Sequence, residues 1–594
     1  MLMSRLHKFL TAPIAKSSSS PVKFWFSLSL TFAAIYGLLV LQHAFSSEYV
    51  VQDDARQHVF WMQRFIDPQL FPGDLIADYF QSVAPAGYTA LYRLMASLGI
   101  EPLLLSKLLP PILGLITTGY CFGVSMQVLP VPMAGFIGSL LLNHYLWMRD
   151  DLVSATAVAF IYPLFLAFLY YLLRRSLLPC CVAIALLGLF YPQGVFICIG
   201  ILILRLLRWE KGRPYFLQNP REYRLYATGL GVAALVIALY ALKSSSGFGP
   251  VISAAEARTL SEFLPGGISV FFVEDPGHFW FTAQRSGMLP RLGTAVPLVI
   301  GVWLPVLMLF PAIFPLVKQV TKDVAVLLQI TLASVAMFLA SHALLFRLHL
   351  PSRYTEHSLR IVTAIASGIV LTLILDAVLN WAGKPPVKSS VSQHPERQPT
   401  SVNLAPWRQL VALGAVVLLV GGTILHPIFL KRFPRTDYTV GNAPALYEFF
   451  QQQAKDSLIA SLTKEGSNLP IFAQRSILAG GEGYPVPYHK GYYARIRQRT
   501  IDLIEAQYSP DLATVQRFIQ KYGVDFWLLE AGAWTPPYLT NERWIMQYKP
   551  AAENAIATLQ QGTLPALAPL TESCKVLQIG NFTVLEAECI AKMR

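Results

Sequence analysis

The sequence predicts a polytopic α-helical membrane protein with an α/β domain at its C-terminal end. Of its 594 residues, 54% are hydrophobic and only 14% are charged, whereas soluble domains carry about 25% charged residues. Uncharged apolar runs recur along the chain, and about eleven of them approach the roughly 20 residues that a helix needs to cross a bilayer. Because so much of the chain is unsuited to water, we expect it to be embedded in a membrane.

The apolar runs predict about eleven membrane helices between residues 24 and 430. The first is interpreted as a retained helix and not as a cleaved signal peptide, because a polar stretch of roughly twenty residues precedes it. The predicted spans are 24–45, 103–128, 131–147, 152–173, 177–190, 195–209, 225–242, 294–317, 323–346, 360–381 and 409–430.

Basic residues predict the orientation, because positively charged loops stay on the cytoplasmic side of a membrane. The N-terminal tail, residues 1–23, carries basic residues and no acid, so we expect it in the cytoplasm. The same orientation places the basic loops at 174–175 and 205–224 and the linker at 382–407 inside. An odd number of crossings then leaves residues 431–594 outside. The net charge of +13 is thereby explained by topology, and no nucleic-acid partner is expected.

Two acidic pairs are the first candidates for chemistry. Asp53 and Asp54 open a segment with apolar residues at helical spacing, which predicts an amphipathic helix on the outer membrane surface. Asp150 and Asp151 lie between two predicted spans, where carboxylates are costly and often functional. Plainer interpretations remain, in which the first pair caps a helix and the second forms a charge cluster in a water-exposed turn. Both pairs are predicted on the same side, which favours one shared site.

A basic cluster on the outer side is the second candidate. Arg353, His349 and His357 lie outside in the predicted topology, where basic residues serve no topological purpose. The planar guanidinium group of arginine suits a phosphate, so we predict that this cluster binds a phosphate-bearing lipid headgroup, together with Arg285. Interfacial anchoring remains the alternative. The outer segments are predicted at 46–102, 148–151, 243–293 and 347–360.

The C-terminal part, residues 431–594, mixes element types and predicts a small α/β domain. Cys574 and Cys589 flank its closing hairpin, and a disulfide between them suits an oxidising outer compartment. Two unpaired core cysteines are the alternative. The predicted elements are helices over 444–462 and 514–522, strands over 470–474 and 524–529, and a hairpin over 575–587.

The order of these features resembles that of the GT-C superfamily of membrane glycosyltransferases, which use sugars linked to polyprenyl phosphate. The likeness covers roughly residues 24–430. Many members have Asp-Glu or Asp-x-Asp where this chain has Asp-Asp, and the Trp-Trp-Asp-Tyr-Gly signature of oligosaccharyltransferases is absent. The matching elements are the first helix, the pairs Asp53-Asp54 and Asp150-Asp151, the turn Tyr191-Pro192-Gln193-Gly194, the element Pro351-Ser352-Arg353-Tyr354 and the outer C-terminal domain.

The resemblance implies an enzyme that moves a sugar from a polyprenyl-phosphate donor to an acceptor hydroxyl outside the cytoplasm, in a bacterial inner or plasma membrane. In the family the first acid, here Asp53, is the general base, and Asp54 lies beside it. The expected partners are the lipid-linked donor, a glycan, lipid or protein acceptor, and membrane lipids. The phosphate charge would be stabilised by a divalent metal at Asp53 and Asp150 or by the basic residues Arg353, His349, His357 and Arg285.

Two other functions fit a chain of this composition. A transporter of a lipid-linked glycan would carry polar residues near the membrane midplane, whereas the predicted spans here are apolar in their middles and acidic at their ends. A catalytically inactive scaffold or glycan-binding subunit would retain the fold, with Asp53 or Asp54 closed against Arg353 and no open cavity between them.

The predicted topology can be tested with reporter fusions. A reporter placed at Lys388, in the basic linker, should be cytoplasmic, and one placed at the C-terminus should be outside. Signals from the same side would contradict the predicted orientation.

Overall fold

The computed structural model describes residues 2–14, 20–210, 213–243, 247–289, 296–383, 405–481 and 483–594. The chain is an integral membrane protein that is mostly helical over these ranges. Most of the basic linker predicted at 382–407 lies outside the described residues. The helices long and apolar enough to cross a membrane are Ser20–Ala44, Pro102–Val128, Pro220–Leu242, Lys322–Ala343, Ser352–Gly383 and Trp407–Phe429.

The helices are numbered along the chain. Those before the C-terminal sheet are α1 Leu2–Thr11, α2 Ser20–Ala44, α3 Asp53–Val59, α4 Leu75–Val83, α5 Ala86–Ser97, α6 Pro102–Val128, α7 Pro132–Leu146, α8 Asp150–Val153, α9 Ile161–Leu173, α10 Leu177–Phe190, α11 Gln193–Leu206, α12 Pro220–Lys243, α13 Ala254–Ala257, α14 Val296–Gly301, α15 Leu304–Met308, α16 Ala325–Ala343, α17 Ser352–Gly383, α18 Ala405–Val416 and α19 Gly422–Leu425.

Several predicted spans are shorter or more broken than expected. The span predicted over 152–173 is interrupted between α8 and α9 by a 3₁₀ turn, Ala157–Phe160. The span predicted over 294–317 consists, within the described residues, of the short helices α14 and α15 followed by turns. Prolines recur through residues 294–317. A proline inside a helix lacks a backbone donor and clashes with the preceding turn, which breaks the helix. The predicted count of about eleven spans is therefore not established.

The helix predicted over 360–381 begins earlier than expected, because α17 starts at Ser352. Three charged residues, Arg353, Glu356 and Arg360, lie on successive turns of this helix and are ion-paired with one another. Since their charges are compensated, the helix continues through them. Arg353 and His357 are thus residues of the helix α17.

The segment after Gln52 also differs from its prediction. A surface helix was expected, yet Phe60, Trp61 and Met62 are almost fully buried in 3₁₀ turns that follow α3. These residues belong to the protein core, where Phe60 contacts Tyr484 of the C-terminal part, whereas Ile66 is 47% exposed.

A five-stranded mixed sheet organises the C-terminal part. Its strand order is β6-β5-β7-β9-β8, with β5 parallel to β6 and β7 and with β9 antiparallel to β7 and β8. The strands of the chain are β1 Val50–Gln52, β2 Leu207–Glu210, β3 Arg213–Phe216, β4 Tyr438–Val440, β5 Leu458–Ser461, β6 Ser476–Ile477, β7 Phe526–Glu530, β8 Lys575–Ile579 and β9 Phe582–Glu586. The helices around the sheet are α20 Pro444–Gln451, α21 Leu469–Phe472, α22 Lys490–Tyr508, α23 Leu512–Tyr522, α24 Pro536–Thr540, α25 Arg543–Met546, α26 Ala551–Gln560, α27 Leu567–Ser573 and α28 Ala587–Lys592.

Some of the elements predicted for the C-terminal part are present in the structure and others are wrong. The helix over 514–522, the strand over 524–529 and the closing hairpin correspond to α23, β7 and the β8–β9 pair. The helix over 444–462 is wrong in its second half, where β5 pairs with two parallel neighbours. The strand over 470–474 is wrong as well, because Pro470 lies in the first turn of α21, where proline is tolerated.

Cys574 and Cys589 form a disulfide with their Cα atoms 5.5 Å apart. Cys574 precedes β8, and Cys589 lies in α28. The bridge therefore ties the start of the hairpin to the helix that follows it and does not cross the hairpin itself.

The centre of the membrane part depends on a close approach of α7 and α17. A Cβ atom at Gly368 would lie 2.6 Å from the backbone nitrogen of Gly138 and 2.7 Å from the carbonyl oxygen of Ala134. Small residues let membrane helices approach so closely that van der Waals packing holds them together.

This contact predicts that Gly368→Ala destabilises the folded protein by about 1–3 kcal/mol, because the added methyl group overpacks a backbone contact. Gly231→Ala in α12 is the matched control, since no atom lies within 4 Å of a Cβ there. Thermal unfolding of both variants in detergent measures the difference. Equal melting temperatures would contradict the inferred close packing.

Candidate functional site

A polar cavity of about 410 Å³ lies where the helical part meets the C-terminal sheet. It contains both predicted acidic pairs, Arg353 and Arg285, so residues from four distant parts of the chain converge as expected. Its polar lining comes from α3, from the start of α8, from the long segment 247–289, from the start of α17 and from the C-terminal part. The lining includes Asp53, Asp54, Gln57, Arg149, Asp150, Asp151, Ser269, Gln284, Arg285, Arg353, Glu356, Tyr488 and Arg543.

The first acidic pair is positioned by a strand pair that joins distant segments. β1 pairs antiparallel with β4, and the Asp53 backbone N–H donates to the Asp437 carbonyl oxygen at 3.2 Å. The side-chain oxygen of Gln52 accepts from the backbone N–H groups of Asp54 and Ala55 at 2.8 and 3.1 Å. Gln52 therefore caps α3. The capping role considered for the aspartates is filled by another residue, and their carboxylates line the cavity.

Asp53 is held by an ion pair. Its carboxylate accepts from Arg56 at 2.6 Å, and the same guanidinium group donates to the Asn468 side chain at 2.9 Å. Asn468 in turn donates to Glu465 at 2.8 Å. The carboxylate of Asp53 thus has a fixed position and a fixed positive neighbour.

Asp54 has a different environment. Burial, the negative charge of Asp150 and that of Asp53 raise the pKa of Asp54 to about 7, although Arg353 opposes the change. Burial and like charges both disfavour an ionised carboxylate. Asp54 therefore gains and loses a proton near neutral pH.

The second acidic pair divides into two roles. Burial raises the pKa of Asp151, but the positive charges of Arg360, His357 and Arg353 outweigh it and hold this pKa below its usual value. Burial and the charge of Asp151 raise the pKa of Asp150. Asp151 is thus a permanently ionised support, whereas Asp150 adds negative potential beside Asp54.

A buried network holds Asp151. Arg360 is fully buried and donates to the carboxylates of Asp151 and Glu356. The Tyr162 hydroxyl lies 3.2 Å from the Asp151 carboxylate and 2.9 Å from Nδ1 of His357. These contacts fasten α8 to α17 beneath the cavity.

The predicted basic cluster separates into residues that line the cavity and residues that do not. Arg353 lies 3.8 Å from both Asp151 and Glu356, and Arg285 donates to the Tyr488 hydroxyl at 3.0 Å. His349 is outside the lining, and burial, then Arg353 and Arg285, lower its pKa to about 3. His349 is therefore neutral and supplies no charge to a phosphate.

His357 is likewise absent from the cavity lining, because its ring faces Tyr162 and Asp151 below the cavity. It lies one helical turn beyond Arg353, and successive turns of α17 face different depths.

Sequence reasoning missed several contributors. Glu356 and Arg360 occur at helical spacing with Arg353, and that spacing was a signal that α17 begins early. Arg543 and Tyr488, which line the cavity from the C-terminal part, carried no sequence signal. Gly483 also lines it, with φ of +94°, and a Cβ atom there would lie 1.8 Å from the Gln57 amide nitrogen.

The metal predicted at Asp53 and Asp150 stays a prediction. Both residues line the cavity. Within the described ranges, however, no three His, Cys, Asp or Glu side chains converge closely enough to hold an ion. Asp53 is also committed to Arg56, and divalent cations prefer several oxygen ligands. As placed, the side chains do not fit a metal, so the chemistry is derived from protein groups.

The chain is similar in fold to solved membrane glycosyltransferases. One is the oligosaccharyltransferase AglB from Archaeoglobus fulgidus, with an inhibitory peptide and a dolichol-phosphate, at 12% identity and a TM-score of 0.49 over 89% of this chain and 72% of that chain. Another is arabinofuranosyltransferase AftD from Mycobacteria, at 12% identity and a TM-score of 0.43 over 84% of this chain and 35% of that chain. Both of these neighbours are GT-C glycosyltransferases. No family model and no curated protein matches the sequence. At TM-scores below 0.5 and 12% identity, these likenesses carry no conclusion about the chemistry of this chain.

The buried network predicts a large stability loss for Arg360→Met. Removing one partner leaves the Asp151 charge buried and poorly compensated, which costs about 3–5 kcal/mol. Arg175→Met is the control, because Arg175 pairs with Glu222 while remaining 49% exposed and such pairs contribute below about 1 kcal/mol. Denaturant unfolding in detergent measures both losses.

The double variant Asp151→Leu, Arg360→Met separates the ion pair from packing. Since it removes both charges, it should recover part of the stability that Arg360→Met loses. A loss equal to or larger than that of the single variant would contradict the importance of charge compensation.

Proposed function

We propose that the protein transfers a sugar from a polyprenyl-phosphate donor to an acceptor hydroxyl on the extracytoplasmic side of the membrane. The observation that carries this proposal is the shared cavity, in which Asp54, with a pKa raised to about 7, lies with Arg353 and Arg285. A base and a phosphate-binding pair are the groups that this reaction requires. The C-terminal sheet and its helices would then form an extracytoplasmic domain.

Asp54 is the preferred base, although the resemblance assigns that role to Asp53. Asp53 accepts from Arg56 at 2.6 Å, so its carboxylate is already engaged by a donor of the protein. Asp54 is half-buried beside Asp150 and Asp53, and these negative charges increase its affinity for a proton. Asp53 then acts through Asp54 as a positioning residue.

The chemical step follows from these roles. The Asp54 carboxylate accepts the proton of the acceptor hydroxyl as the acceptor oxygen forms a bond to the anomeric carbon of the donor sugar. The bond between that carbon and the phosphate oxygen breaks, and the polyprenyl phosphate leaves with the electron pair. A phosphate is a stable anion, so no acid is needed to protonate the leaving group.

Arg353 and Arg285 would stabilise the departing phosphate. Arg353 is anchored by Asp151 and Glu356, and Arg285 by Tyr488, so both guanidinium groups are oriented before the substrate binds. Charges fixed in advance stabilise a transition state without reorganisation at the moment of reaction. Arg149 and Arg543 add positive potential to the same cavity.

The scaffold alternative is less well supported. It expects Asp53 or Asp54 to close against Arg353 with no cavity, whereas the described residues enclose about 410 Å³ between these groups. The transporter alternative expects polar groups at the membrane midplane. The ionisable groups of the site lie instead at helix starts, as Asp53, Asp150 and Arg353 illustrate.

The proposal predicts that Asp54→Asn lowers the rate of sugar transfer by roughly 10²–10⁴-fold, since general-base catalysis supplies about that factor. In the unaltered protein the rate should rise with pH through about 7, as Asp54 loses its proton. Asp53→Asn removes a negative charge that raises this pKa, so its pH–rate midpoint should move to lower pH. The measurement is a pH–rate profile with a radiolabelled polyprenyl-phosphate sugar.

Asp78→Asn is the matched control for Asp53→Asn. Asp78 is paired to Arg64 at 2.8 Å and its side chain is 43% exposed, as is that of Asp53, but it is absent from the cavity lining. Its substitution should leave the profile unchanged. Full turnover by folded Asp54→Asn, or an unshifted midpoint in Asp53→Asn, would overturn the assigned roles.

A further inference from the structure

A second cavity, of about 760 Å³, lies in the C-terminal part and is separate from the cavity with the two acidic pairs. It opens at the edge of the sheet where the parallel strands β5 and β7 end. The chain leaves β5 towards β6 on one side, while β7 adjoins β9 on the other side. Ligands of sheets with parallel strands bind outside the carboxyl ends of the strands at such a switch in direction.

The cavity carries a negative charge. Glu465 follows β5, Glu530 ends β7 and Glu542 precedes α25, whereas the lysine among the lining residues, Lys464, is paired to Glu542 at 3.0 Å. Burial, then Glu465 and Glu542, raise the pKa of Glu530. A phosphate-bearing lipid would be repelled here, so the occupant differs from the donor assigned to the first cavity.

The remaining lining suits a ligand with many hydroxyl groups. Asn541 and Asn581 both donate and accept hydrogen bonds, and the glutamates accept them from hydroxyls. Tyr538 and Phe582 add aromatic surface on which the apolar face of a sugar ring can lie. Amides, carboxylates and an aromatic ring around one open cavity match the donors, acceptors and C–H faces of a neutral carbohydrate.

The two cavities are adjacent and rigidly linked. Glu542 lines the second cavity, and the next residue, Arg543, lines the first. The carboxylate of Glu465 accepts a hydrogen bond from the Asn468 side chain. Arg56 donates hydrogen bonds both to Asn468 and to the carboxylate of Asp53. A ligand in the second cavity therefore has a fixed position relative to the first acidic pair.

We propose that the acceptor is a neutral oligosaccharide and that one segment of it binds in this second cavity. A hydroxyl group on another sugar of the same oligosaccharide then reaches Asp54 in the first cavity. The inference rests on the proposed glycosyl transfer and names its acceptor class. Because the Arg56–Asn468 pair separates the cavities, one sugar does not fill both, so the acceptor is a chain of sugars.

Binding is tested on the full-length protein in detergent with an array of immobilised neutral and anionic oligosaccharides. We expect retention on at least one neutral glycan, and retention weaker by roughly tenfold or more in Glu530→Gln and Asn541→Ala, because each loses a hydrogen bond that a charged or amide group made. Tyr538→Ala should weaken it as well. Asn541 is exposed, so its substitution tests the cavity even if Tyr538→Ala does not fold.

Glu572→Gln is the control for loss of a glutamate, since Glu572 is 82% exposed and pairs with Lys575 away from the cavity. It should bind as the unaltered protein does. No retention on neutral glycans, retention on anionic ones alone, or equal retention of Glu530→Gln and Asn541→Ala would overturn the inference.

Kinetics separate this inference from the proposed function. With a glycan that the array identifies as acceptor, Glu530→Gln should raise the acceptor KM roughly tenfold and leave kcat near that of the unaltered protein. Asp54→Asn should bind the glycan normally and turn over roughly 10²–10⁴-fold more slowly. If glycans bind normally but turnover does not depend on Asp54, the proposed function is wrong and the acceptor site stands. If turnover depends on Asp54 but Glu530→Gln leaves KM unchanged, the acceptor site is wrong and the proposed function stands.

Discussion

The buried ion pair between Asp151 and Arg360 is the interaction on which the site depends. Arg360 is completely buried, and such a charge is tolerated only with close counter-charges and hydrogen bonds. Asp151, Glu356 and Tyr162 supply them. Because the pair fixes α8 against α17, Asp150 faces the cavity. Arg353 lies about two helical turns before Arg360, with its guanidinium group in the same cavity. The positions of Asp150 and Arg353 in the cavity therefore depend on the ion pair between Asp151 and Arg360.

A second constraint joins the helical part to the sheet. β1 and β4 are separated by most of the chain, and their pairing places Asp53 and Asp54 immediately beside the C-terminal part. The Arg56–Asn468 hydrogen bond adds a side-chain tie at the same boundary. The acidic pair is consequently a product of both parts, and neither part alone would hold it in position.

The sequence predicted the composition of the site better than its arrangement. Asp150 and Asp151 could be selected because carboxylates between two spans are costly, and Arg353 because a basic residue on the outer side serves no topological purpose. The structure brings them to one cavity with Asp53, Asp54 and Arg285. The start of α17 was misplaced because hydropathy counts the charges of Arg353, Glu356 and Arg360 separately. In the structure these residues form ion pairs with one another, which lowers the free-energy cost of placing them in the helix. Arg543 and Tyr488 were beyond reach, because only long-range packing brings them to the membrane part.

The two cavities differ in the charged groups that line them. Four arginines line the first cavity, where five carboxylates keep the total charge low and Asp54 close to its protonation midpoint. Three glutamates line the second, with a lysine that is already paired. The first cavity offers a phosphate the guanidinium groups of its arginines, whereas the cation that lines the second cavity, Lys464, is paired to Glu542. A neutral sugar chain needs no cation and is selected by hydrogen bonds. In the proposed transfer, this difference would keep the phosphate donor out of the acceptor cavity, because binding there would place its phosphate beside the three glutamates.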